Sequence, residues 1–254
     1  MTIAASAVLG LLIGSFLTVV TDRVPRGASI MAPGSTCGAC GLRLGVLDLM
    51  PIVSFAALRG RCRRCRSPIG VDAPLIEVAT ATLFVLMAIR FDLSWELAAF
   101  DVLAAGLVAL TAIDLRLRRL PREVTYVTLA LGAPLLAAGA LARDEPERML
   151  MMVGGAMGAL AFMGLLHVIS RGGMGEGDVR LSPLLGAFLG WLNPGLVAIG
   201  LLFGFLGGSI IGVALMVAGN ATRKTAIPFG PFLALGAIVA VFVGQRTIDA
   251  ILVR

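Results

Sequence analysis

Leu97-Ala-Ala-Phe-Asp-Val-Leu-Ala-Ala-Gly-Leu-Val-Ala-Leu-Thr-Ala-Ile113 is followed at once by Asp114-Leu-Arg-Leu-Arg-Arg119. Seventeen residues with a single ionisable side chain, stopped by a cluster of charges, read as a helix that crosses a bilayer and ends at its surface. The rest of the chain repeats the theme. Of its 254 residues 58% are hydrophobic and 14% charged, and its mean hydropathy is +0.98. A soluble domain carries about 25% charged residues, so an ordinary globular fold and a disordered chain are both excluded. The apolar runs are continuous rather than alternating, which excludes a transmembrane barrel. We therefore expect an all-α polytopic membrane protein with about eight spans, at 3–20, 73–89, 97–113, 124–141, 149–169, 181–191, 195–217 and 229–244. The sixth is too short to cross unaided. The first has no basic residue before it and no small-residue cleavage site, and reads as a retained helix rather than a signal peptide.

The loops set the orientation. Those after spans one, three, five and seven hold sixteen basic residues, Arg223 and Lys224 among them, whereas the others hold three, Arg90, Arg143 and Arg148. The positive-inside rule puts the first set in the cytoplasm and both termini outside. The net charge of +6 is thereby assigned to the membrane, and no nucleic-acid partner is expected.

One loop, 21–72, is long. It holds all four cysteines as Cys37-Gly-Ala-Cys40 and Cys62-Arg-Arg-Cys65. Two C-x-x-C pairs in a small unit that needs a staple have the spacing of a four-thiolate zinc site. Two disulfides, inert thiols and a rubredoxin-like iron site are the alternatives, and a reducing cytoplasm disfavours the disulfides. Four thiolates leave no open position, so the metal's role is structural.

Ionisable residues at membrane depth point to function. Asp114 closes span three, and Asp178, in Gly175-Glu-Gly-Asp178-Val-Arg180, comes just before span six. On the expected topology both lie at the cytoplasmic boundary. Two carboxylates brought together can share a proton, and the ionised one can deprotonate water while its partner polarises a carbonyl. Gly175 and Gly177 would let the backbone turn tightly and a substrate strand approach. Simpler readings exist: Asp114 as a helix-end charge paired with an arginine, Asp178 as the N-cap of span six. Glu77, within span two, needs a partner or a polar cavity. Asp101 lies away from the proposed site, Glu176 reads as a modulator or a solvated charge, and His167 as a packed side chain. Gly172-Gly-Met-Gly-Glu-Gly has no strand–loop–helix context to make it a dinucleotide loop.

These blocks together resemble the type IV prepilin peptidases, membrane aspartic proteases of the GxGD group. The resemblance rests on Gly14-Ser-Phe-Leu-Thr-Val-Val with Arg23 and Pro25, and on both cysteine pairs with Pro51 and Ser54 between them. It extends through Pro74-Leu-Ile-Glu77, Asp114-Leu to Leu120-Pro121 and Thr125, Gly175 to Leu181, Gly186 to Trp191, and Ile227-Pro-Phe-Gly-Pro-Phe-Leu-Ala234. It implies removal of the basic leader of type IV prepilins or type II secretion pseudopilins after a glycine, on the cytoplasmic side of the inner membrane. It also implies methylation of the new N-terminus with S-adenosylmethionine. Asp114 and Asp178 match the catalytic pair, the cysteines match those of the methylating form, and Glu77 matches a family acidic residue. Thr18, Gly38, Arg122 and Arg180 depart from the usual Asn, Pro, Asp and Lys. The implied division is a first helix at 1–20, a four-cysteine loop at 21–72 serving the methyltransferase, and a peptidase core at 73–254. A transporter relaying cations through Asp114, Asp178 and Glu77, and a zinc-loop scaffold, are the competing classes. The oligomeric state is left open.

Overall fold

The computed structural model describes residues 1–171, 173–219, 225 and 227–252, and side chains up to 244. Gly172, Arg223 and Lys224 lie outside the described residues. Among those described there is no strand, only the isolated bridges Thr36–Arg43 and Arg61–Pro68. The described residues form nine α-helices: α1 (Thr2–Arg23), the short α2 (Val53–Ala57), α3 (Asp72–Phe91), α4 (Trp95–Leu117), α5 (Arg122–Ala142), α6 (Glu147–Ile169), α7 (Glu176–Leu192), α8 (Pro194–Val217) and α9 (Gly230–Leu252). Six of them (α1, α3, α4, α5, α6 and α8) are long and apolar enough to cross a membrane. α7 and α9 lie where the other two spans are expected without meeting that measure, and the molecule is an all-α multi-pass membrane protein.

The helix ends follow local chemistry. Ser94 caps α4 by accepting from the Leu97 amide at 3.3 Å, and Asn193 caps α8 by accepting from Gly195 at 2.9 Å, with Pro194 as its first residue. α4 stops where Arg118 turns left-handed (φ 53°) and donates its N–H to the Asp114 carbonyl. Pro121, extended, then starts α5.

α4 and α7 form the centre. Fourteen of the 23 residues of α4 and eleven of the 17 of α7 are buried, with Phe100, Phe188 and Trp191 among the largest fully enclosed side chains. α7 begins five residues before the expected sixth span. Glu176, Asp178 and Arg180 in its first turns hide that start from a hydropathy reading. At 17 residues it is only about 26 Å long, less than the hydrocarbon thickness. It tolerates this because helices α5, α6, α8 and α9 pack around it.

Glycines let the helices approach closely. A Cβ on Gly14 would lie 2.6 Å from the Glu77 backbone, one on Gly186 would lie 2.3 Å from the Gly155 carbonyl, and one on Gly236 would lie 2.4 Å from that of Gly200. These contacts join α1 to α3, α6 to α7 and α8 to α9 in the small-residue packing expected of membrane helices.

Candidate active site

Asp114 lies in the last turn of α4 and Asp178 in the first turn of α7, so the two most enclosed helices present their carboxylates at the same end of the bundle. Both side chains are buried, at 5% and 8% exposure. Both line one cavity of about 1060 Å³, and Asp178 is near enough to Asp114 to feel its charge. The walls come from the turn that follows α1 (Val24, Pro25), the α4–α5 turn (Arg118 to Glu123), the α6–α7 segment (Met174 to Gly177) and the residues leading into α9 (Ile227 to Phe229).

Each aspartate is held by its surroundings. Asp114 Oδ2 accepts the Gly230 backbone N–H at 3.0 Å. A Cβ on Gly230 would come within 2.8 Å of that oxygen, so only glycine seats the amide there. Leu120 packs between the Gly177 and Gly230 segments. A Cβ on Gly177 would lie 3.0 Å from its Cβ, and one on Gly230 would lie 2.9 Å from its Cδ2. On the other flank His167 Nδ1 bonds the Met174 carbonyl at 2.9 Å and pins the segment that leads into Asp178.

Two expectations need correction. Asp178 does not precede the helix or cap it. Gly175 is the N-cap, and Asp178 is the third helical residue, its amide donating to the Gly175 carbonyl at 3.1 Å. The glycines also do not supply an unusual turn. Gly175 has φ −65° and Gly177 is helical. They are needed for space: a Cβ at 175 would sit 3.0 Å from Asp178 Oδ2. Asp114 forms no arginine pair among the described residues; the nearby Arg116 binds Asp72. Glu176 pairs with Arg180 at the surface. Asp101 is buried at the far end of α4 with Oδ1 unpartnered.

The contributions of Gly230, Leu120 and Met174 were not foreseen. The Ile227-Pro-Phe-Gly230 and Leu120-Pro121 blocks were visible in the sequence, but neither carries a side chain whose chemistry announces a role.

The cysteine loop packs against the same end. Each C-x-x-C pair makes the same turn. Cys37 accepts from Gly41 and donates to Leu42, and Cys62 accepts from Arg66 and donates to Ser67. Gly41 and Arg66, after each pair, are left-handed at φ 69° and 59°. The four sulfurs lie within 4.8 Å of one another, with Cys37–Cys65 at 3.8 Å and Cys40–Cys62 at 4.0 Å. Tetrahedral thiolates at about 2.3 Å from an ion would be about 3.8 Å apart, so the donor set fits a metal. The amides of Cys40 and Ala39 and the Ser67 hydroxyl bring the Cys37 thiol down to about 6, and Ser67 lowers Cys65. At Cys40 the Leu42 amide is outweighed by burial and the other sulfurs, which push the thiol up to about 11.

Two contacts tie the loop together and to the bundle. Arg63 reaches Asp48 at 2.8 Å. Glu77, buried in α3, accepts the Ile52 amide at 2.8 Å, while Ile52 itself takes a positive φ of 56°. Few β-branched residues take that conformation, so this hydrogen bond fixes a costly turn. Glu77 is thus paired, as its membrane position requires, and it faces the loop rather than the aspartates.

A buried aspartate pair at the end of a membrane helix bundle is the makeup of a membrane aspartic peptidase. The sequence comparisons agree. Residues 102–244 match the type IV leader peptidase family, residues 8–91 match the bacterial peptidase A24 N-terminal domain, and the chain belongs to this family. The prepilin leader peptidase/N-methyltransferase of Bacillus subtilis is 32% identical over 95% of this chain and 94% of its own length. Its counterpart in Pseudomonas aeruginosa is 31% identical over 96% and 91%. That of Myxococcus xanthus is 40% identical over 86% of this chain and 64% of its own length. No solved structure gives a significant match.

Proposed function

We propose that this protein removes the leader from a type IV prepilin or type II secretion pseudopilin and methylates the exposed N-terminus. The observation that carries the peptidase reading is the pair Asp114 and Asp178, both buried and lining one cavity at the arginine-rich end of the bundle. One carboxylate takes a proton from water as the water oxygen attacks the scissile carbonyl. The other, protonated, donates to the carbonyl oxygen. Collapse of the tetrahedral intermediate breaks the C–N bond, and the leaving amine takes up a proton.

The sixteen-to-three loop charge asymmetry supports placing this end in the cytoplasm and the protein in the inner membrane. A substrate with a basic leader before an apolar helix would then present its scissile bond at this boundary. A cation relay would need acidic groups spread through the membrane along a path. Glu77 points instead to the loop, and Asp101 sits at the opposite end of α4 from Asp114, outside the cavity wall. The four cysteines would hold zinc, which would fix the loop 21–72 and take no part in the hydrolysis. On this reading 73–254 is the peptidase core, and the loop serves methylation, with S-adenosylmethionine as co-substrate.

The test is cleavage of a detergent-solubilised prepilin by purified protein, followed by mass spectrometry with and without S-adenosylmethionine. A product shortened at the leader establishes the peptidase, and an added methyl mass the second activity. An uncut substrate panel would favour a scaffold. Gly230→Ala is expected to lower cleavage about 10–100-fold, because its Cβ would displace Asp114 Oδ2. A rate equal to wild type would show that the Gly230 amide does not set the aspartate's position.

A further inference from the structure

A second cavity, about 600 Å³, lies between α6 and α8. α6 packs mainly on α7 and α8 mainly on α9, with little direct contact between α6 and α8, and the exposed Phe162 and Leu202 show that the space between them opens outward. Its lining carries no ionisable side chain: glycine, alanine, proline and aliphatic residues form it, closed by Phe162 and Phe205. It follows α8 from Pro194 to Phe205, about 16 Å or three turns. Its floor includes Gly154 and Gly158, one turn apart on α6. Unlike Gly155, which is pressed against α7, a Cβ at either would meet nothing within 4 Å.

Phe205 lines this groove and also the cavity that holds the aspartates. Its ring meets Phe162 edge-on at 6.4 Å and Phe229 at 5.1 Å. One aromatic side chain is therefore the shared wall between an apolar, membrane-facing groove and the carboxylate pair. Resting on the peptidase reading above, we infer that the groove between α6 and α8 seats the apolar helix of the substrate, with the helix's N-terminal end directed past Phe205 to the aspartates.

The chemistry selects this occupant. A groove without charge or hydrogen-bonding side chains offers nothing to a polar peptide. An open small-residue floor at i, i+4 spacing admits a helix backbone at close range, a fit that flexible lipid chains do not need. Continuity with the aspartate cavity fixes the direction, because α8 runs from the far end of the bundle toward the site. A helix seated along it places its flanking extended segment, the one to be cut, in the larger cavity.

The test uses Gly158→Leu, whose Cβ would meet nothing within 4 Å and whose side chain would enter the groove, and Gly164→Leu, equally open at Cβ and on the same helix but outside the groove, as control. Substrates are a full-length prepilin in detergent micelles and a short leader peptide lacking the apolar helix. Gly158→Leu should lower kcat/KM for the full-length substrate about tenfold or more, chiefly through KM, and leave the short peptide at the wild-type value. Gly164→Leu should change neither. Full-length cleavage by Gly158→Leu at the wild-type rate would overturn the inference while leaving the peptidase reading intact. Failure of the wild type to cut either substrate would sink the peptidase reading itself. If Gly158→Leu loses both substrates, its fold is lost, and a photo-crosslink decides. Benzoylphenylalanine in place of Leu202, an exposed groove residue, should attach to the apolar segment of the substrate. Attachment to lipid alone would refute the docking.

Discussion

Replacing either Asp114 or Asp178 by asparagine should reduce leader cleavage about 10³-fold or more, with the protein still folded. Asparagine keeps the size of each side chain, and its carbonyl oxygen can still accept the Gly230 amide that now reaches Asp114 at 3.0 Å. What it removes is the ability to gain and lose a proton. Either variant alone should be as inactive as the pair, because one carboxylate cannot both deprotonate water and protonate the carbonyl oxygen. Initial rates of prepilin cleavage, with helicity by circular dichroism as the folding control, decide the matter. Near-normal cleavage in Asp178→Asn would remove that residue from the chemistry and leave its burial as packing. On the proposed division, methylation of an already cut substrate should survive both changes, since the loop 21–72 carries neither aspartate.

Removing the metal should have the second large effect, on the loop rather than the bundle. Purified protein should carry about one zinc per chain, and Cys40→Ser or Cys62→Ser should carry about none. Apart from contacts of the sulfurs, most of the loop's own hydrogen bonds close short turns, and only the Asp48–Arg63 pair, the Ile52–Glu77 contact and the Ser15–Leu49 bond reach further along the chain. A structural zinc site contributes roughly 10–16 kcal/mol in zinc-finger peptides, far beyond what those contacts can supply. Chelation should therefore make 21–72 sensitive to protease and leave the helices intact. A chelated loop that resists protease as well as the native one would show that the cysteines are not its staple.

Much of this architecture was legible because hydropathy reports what each segment touches. It found α1, α3, α4, α5, α6 and α8 to within a few residues. It misplaced the start of α7, whose first two turns carry Glu176, Asp178 and Arg180 and so read as polar. The aspartates stood out because ionised groups are rare at membrane depth, and the cysteines because their spacing repeats. Gly175 and Gly177 were noticed for a freedom they do not use. A glycine that turns the chain and one that makes room look alike in sequence, and only the neighbours, Asp178 Oδ2 and Leu120, tell them apart. The Gly230 amide was invisible for a related reason: a backbone donor has no letter of its own.

Because the aspartates ride on the two helices that lipid scarcely reaches, the bilayer has little mechanical purchase on them. A thicker or stiffer membrane would strain the outer helices first, tilting α1, α6 and α8 against a centre that stays put. Such a protein can keep its chemistry constant while the host remodels its lipids, and it registers the change only in how readily a substrate finds its berth.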